Sequence, residues 1–155
     1  MENEILKIIL NNILPSVILF ILYKFVEEFI IKPHLEYKKI IAKIDHFLKF
    51  YLNIIWNINP PTRTKPYEPL PEDWGKAKET FRNLSCELEA QYKSMILKRF
   101  LPNKKYIDTA IKDLMILSNI IGTVNDYKGA FQNKAINLEE EIRTCLRISR
   151  MIDEK

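Results

Sequence analysis

Glycine is scarce in this chain, three in 155 residues, and none stands in a run that could cradle a phosphate. No G-x-S-x-G or H-E-x-x-H occurs. Cysteine is rarer still. Cys86 and Cys145 lack the spacing of a disulfide framework or a metal site, and read as two buried free thiols in a reducing compartment. The two histidines, His34 and His46, have no His or Cys partner at ligand spacing. The adjacent carboxylates Glu27-Glu28 and Glu139-Glu140-Glu141 point apart on a helix, which suits a solvated face better than acid–base work. These absences leave no constellation for catalysis. The expectation is a non-enzymatic protein with no metal and no cofactor.

What is present begins close to the N-terminus. From Ile8 to Tyr23 the chain carries no charge, a length of roughly 24 Å as a helix. That is at the lower edge of a bilayer span, and Ile5, Leu6, Phe25 and Val26 extend it if Lys7 and Lys24 reach toward the headgroups. The same run would also suit the core helix of a soluble bundle or an interfacial helix. It is apolar on nearly all sides, whereas a surface helix keeps one polar face, so spanning is the leading expectation. Cleavage as a signal peptide is not expected, because Glu2 and Glu4 oppose a positive start and large residues follow the run. Lys24, Lys32, Lys38, Lys39 and Lys43 follow the span while Lys7 alone precedes it. The positive-inside rule then places the N-terminus outside and the remainder in the cytoplasm, at a bacterial inner membrane. The formal net charge of +4 suits a domain beside an anionic leaflet and is too small to argue nucleic-acid binding by itself.

The remainder reads as helices. Residues 1–32 form the predicted span and its exit, and 33–155 a cytosolic bundle. Pro33 either kinks the first helix or opens the second, which runs from about His34 to Ile58 with Leu35, Ile40, Ile44, Leu48 and Ile55 on one face. Pro60, Pro61, Pro66, Pro69 and Pro71 mark an extended connector over 59–71. Pro71-Glu72-Asp73 suits a helix start, and the third helix carries Trp74, Ala77, Phe81, Leu84, Leu88, Tyr92, Met95 and Ile96 to about Phe100. A fourth helix runs from about Lys104 to Ile121 and stops at Gly122; a fifth runs from about Phe131 to Ile152. The fold class is all-α: an N-terminal transmembrane helix followed by an antiparallel bundle of about four helices.

Two sets of polar residues are candidates for function. Asn12, Ser16, Tyr23 and Glu27 fall near one face of the first helix, where intramembrane polar groups meet other helices or water. Arg143, Arg147 and Arg150 share a face of the last helix and could meet anionic lipid or nucleic acid, or pair with local acids such as Glu139 and Glu140.

The segments Ile31-Lys32-Pro33-His34-Leu35-Glu36-Tyr37-Lys38-Lys39-Ile40-Ile41, Phe50-Tyr51-Leu52-Asn53 up to Asn59-Pro60, and Leu101-Pro102-Asn103-Lys104-Lys105 through Leu117-Ser118-Asn119 resemble those of small bacterial single-pass membrane proteins with a cytosolic helical bundle. The layout is also similar to the membrane-anchored accessory proteins of type VI-B CRISPR systems, which have a divergent HEPN-like bundle. That resemblance implies an oligomeric membrane pore in antiviral defence. HEPN nucleases carry an Arg-x4–6-His motif, and no histidine follows any arginine here, so RNA cleavage is not implied.

Together these readings predict a single-pass membrane protein acting by self-association or through a protein partner, with the spans lining a pore if it is oligomeric. The competing expectations are a membrane-tethered HEPN-like domain that interacts with RNA, and a soluble bundle with the first helix as core.

Overall fold

Proline at position 33 does not end the first helix. In the computed structural model, which describes residues 13–58, 69–98, 101–123 and 130–148, helical backbone continues from Leu14 to Phe50. It comprises α1 (Leu14–Val26), a π-helical turn (Glu27–Ile31) and α2 (Lys32–Phe50). Pro33 lacks an N–H, and its ring would clash with the carbonyl of Phe29 in a regular helix. The wider turn absorbs that conflict, with the Lys32 N–H donating to the Glu27 carbonyl five residues back.

The second predicted helix is interrupted near its end. Tyr51 leaves helical geometry (φ −95°, ψ 18°), and a short α3 (Leu52–Trp56) follows. α4 (Glu72–Ser94) begins directly after Pro71, with Glu72 and Asp73 at its positive end. It stops short of Phe100 because Met95 is extended. α5 (Lys104–Ile120) is capped by Asn103, whose Oδ1 accepts from the Lys105 N–H at 3.1 Å. It closes at Gly122, which takes φ 77° and donates its N–H to the Ile58 carbonyl at 2.9 Å. That left-handed φ favours glycine there, and a Cβ would also press on the Leu70 side chain. α6 (Ala130–Leu146) ends before the predicted Ile152. Arg147 turns left-handed (φ 57°), and the Ile148 N–H reaches back to the Arg143 carbonyl at 2.8 Å, a Schellman closure.

The described residues are all-helical, as expected, with no strand. α2, α4, α5 and α6 form the bundle. α4 runs antiparallel to α2, with Lys43 paired to Glu87 at 2.8 Å and Gln91 Nε2 donating to the Pro33 carbonyl at 2.9 Å. α5 runs antiparallel to α4, with Ser85 Oγ donating to the Ile111 carbonyl and Ser118 Oγ to that of Lys78. Ile44, Leu48, Ile55, Phe81, Leu88, Leu114 and Ile142 are fully buried between them, and each such side chain contributes about 1.5–3 kcal/mol by leaving water.

α1 takes no place in that core, since none of its residues is buried. No helix among the described residues is long and apolar enough to cross a membrane. Most of the connector, and the predicted last helix beyond Ile148, lie outside the described residues.

Candidate functional site

α1 presents apolar side chains in every direction. Val17, Ile18, Leu19, Phe20, Ile21 and Leu22 are all exposed. A folded monomer in water rarely leaves so continuous an apolar surface uncovered. Where the helix meets charge, Tyr23, Lys24 and Glu27 form a small polar girdle. Lys24 Nζ pairs with Glu27 Oε2 at 2.7 Å and lies 5.8 Å from the centre of the Tyr23 ring. Ser16 is exposed one helical stretch earlier. Of the predicted polar face, the structure therefore brings Tyr23 and Glu27 together through Lys24 and leaves Ser16 apart, while Asn12 lies outside the described residues.

The arginine face divides differently. Arg143 points into the bundle and is buried, with its Nε bonded to Glu139 and its Nη1 donating to Asp45 Oδ1 at 2.9 Å. Glu139 was expected on a solvated face with Glu140 and Glu141. It is buried, and those two neighbours are exposed. The spacing explains this correction: Glu139 and Arg143 fall between Ala135, Ile142 and Leu146, on the stripe that faces the core. A buried ion pair needs its partners held closely, and Asp45 completes the set from α2. Burial pushes the Asp45 carboxyl up, but hydrogen bonds from Lys49 and Arg143 outweigh it and hold the group below its ordinary range. Arg147 is exposed at the helix end, and Arg150 lies outside the described residues.

Two further buried groups escaped the sequence reading. Asp113 is 5% exposed, and its Oδ2 has no hydrogen-bond partner. Burial, with Glu141 nearby, pushes its carboxyl up to about 6. Its signal was available, because Asp113 sits three residues after Ala110 and four before Leu117, on the apolar stripe of α5. The Tyr37 hydroxyl is likewise buried without a partner, and burial next to Tyr92 raises it to about 12.

The cysteines also divide. Cys145 is buried as expected and Cys86 is exposed. Burial, with Glu141 and Asp113 nearby, raises the Cys145 thiol. His46 is exposed and stacks on Phe50 at 6.0 Å. Among the described residues no group of three His, Cys, Asp or Glu is placed to hold a metal ion.

The fold and these surfaces define an all-helical bundle carrying an uncovered apolar helix. Comparison with known proteins finds no matching family model, no matching curated protein and no matching solved structure.

Proposed function

We propose that this is a membrane-anchored protein without enzymatic activity, acting by self-association or through a protein partner. Its apolar N-terminal helix is seated in a bilayer, and its bundle lies on the cytoplasmic side. The observation that carries this reading is α1, a helix of Ile, Leu, Phe and Val that buries none of its residues against the bundle. Each large apolar side chain left in water forfeits about 1.5–3 kcal/mol, so the chain needs an apolar medium around this segment. The Tyr23–Lys24–Glu27 girdle suits the border of such a medium, where tyrosine and lysine are at home. The charge-free sequence extends back to Ile8, giving the anchor more length than α1 alone.

Self-association places the polar residues of the anchor, Asn12 and Ser16, between neighbouring helices or along a pore. The arginine face contributes less to any contact with RNA, because Arg143 is engaged within the bundle.

Fractionation of the full chain with a carbonate wash, then mass measurement of the detergent complex, tests the reading. Retention in the membrane pellet with a defined oligomer is the expected result. A monodisperse monomer in buffer without detergent would overturn it. Conductance in planar bilayers, lost on combining Asn12→Leu with Ser16→Leu, is the expected result for a pore; unchanged conductance would rule out a pore lined by that face.

A further inference from the structure

The antiparallel topology returns the chain to the end of the bundle from which α1 departs. Gln91, near the C-terminal end of α4, bonds to Pro33 at the start of α2. Tyr37, Lys38, Leu101, Pro102, Leu146 and Arg147 line one shallow pocket at that end. The connection between α4 and α5 and the close of α6 therefore lie beside the exit of the apolar helix. Met95, Ile107 and Leu146 turn inward at this end, but four other large side chains do not. Ile96 is 66% exposed, and Leu97, Leu35 and Tyr106 are also exposed, although the spacing of Leu35 and Ile96 had suggested core positions. Lysines surround them. Lys93, Lys98, Lys104 and Lys112 border one cavity with Glu89 and Asp108, and Lys105 joins Lys104 on the adjoining surface. Glu89 is taken up by Lys93 at 2.6 Å and Glu36 by Lys39 at 2.6 Å. Among the described residues that line the adjoining surface, Asp108 is the one acid beside Lys104, Lys105 and Lys112.

From this arrangement we infer that Ile96, Leu97, Lys98, Lys104, Lys105 and Arg147 form a second membrane contact, docking this end of the bundle on an anionic lipid surface. The inference rests on the proposed anchoring of α1 only for which end faces the bilayer. Exposed apolar tips flanked by lysines match the boundary between acyl chains and headgroups: the tips enter the apolar layer and the ammonium groups remain with the phosphates. Lys98 stands at this end with its Nζ 5.0 Å from the centre of the Tyr92 ring. Continuity with α1 sets the docking geometry, because a bundle hung from the helix brings this end and no other to the headgroups. Each lysine near an anionic leaflet strengthens the docking equilibrium about fivefold.

The test uses the full chain reconstituted in phosphatidylcholine vesicles with and without phosphatidylglycerol. Nitroxide labels are attached through Leu97→Cys, Leu19→Cys or Glu79→Cys in a Cys86→Ser background, the buried Cys145 being left in place. Collision with oxygen against a water-soluble nickel chelate reports immersion. Expected is a label at position 97 immersed when phosphatidylglycerol is present. Lys98→Glu, Lys104→Glu and Lys105→Glu combined should lower docking by about a hundredfold or more and return that label to water. The label at position 79, toward the far end of α4, should stay aqueous throughout. A label at 97 as aqueous as that at 79, with the label at 19 immersed, overturns docking and leaves the anchor standing. Immersion at 97 with 19 aqueous supports docking and removes the anchor. Immersion at 97 that ignores both phosphatidylglycerol and the charge reversal overturns anionic recognition.

Discussion

Arg143 and Asp45 meet at 2.9 Å although 98 residues separate them in the chain, and their ion pair ties α6 to α2. Glu139, on the same turn of α6, completes the set inside the bundle. Replacing Arg143 by methionine strands Glu139 in a buried site and should cost about 3–5 kcal/mol. Adding Glu139→Leu should recover most of that loss. Thermal denaturation of the full chain in detergent measures both, and a double variant no better than the single would remove the charge explanation.

Asp113 works in the opposite sense. Its carboxyl is raised to about 6 in the fold, against about 3.9 in an unfolded chain. The native state thus holds its proton more firmly, and the favourable contribution is complete below pH ~4 and lost as pH rises through about 6. Asp113→Asn should therefore stabilise the protein at pH 7.5 and have little effect below pH 4. A melting-temperature gain of equal size at both pH values would show that the ionisation is not responsible.

The two thiols should separate cleanly by reactivity. Cys86 is exposed and should react with an aromatic disulfide reagent in the folded protein. Cys145 is buried with a raised thiol, and should react only on unfolding. Counting thiols released before and after denaturant checks this; two fast thiols in the native protein would contradict the packing of α6.

Arg147 stands where a helix most often places glycine, with φ 57°. Arg147→Gly should relieve the left-handed strain and stabilise the fold by about 0.5–1 kcal/mol. The same change removes one cation from the inferred lipid contact, so stability and docking should move in opposite directions. Measuring both on one variant separates the backbone effect from the charge effect.

Much of the bundle was legible from spacing alone. Ile44 and Leu48 on α2, Phe81, Leu84 and Leu88 on α4, and Leu114 and Leu117 on α5 recur at the helical period and are buried. Pro71, Asn103 and Gly122 mark helix limits through chemistry that acts within a few residues. The readings that changed concern partners distant in the chain. The pairing of Arg143 with Glu139, four residues away, was legible as an alternative. Nothing near either, however, announces that the fold buries the pair and that Asp45 joins it from α2, and nothing near Ile96 announces that the fold offers it no cover. Pro33 was legible as a kink or as the opening of a helix, but the π-helical turn that accommodates it was not, because proline alone does not dictate that shift of hydrogen-bond register. For the candidate surfaces, the apolar character of α1 was plain. The division of the arginine face was not, since side chains on one stripe can turn to core or solvent at its border.

The unbroken backbone from Leu14 to Phe50 has a mechanical meaning. Ile44 and Leu48 lock its far portion into the core, while its near portion stands free of the bundle. The two portions share one shaft with no swivel loop between them. A twist or tilt applied to the apolar part is thus delivered to the bundle as a movement of one of its own helices, and the π-helical turn is the place along that shaft where the hydrogen-bond register can give.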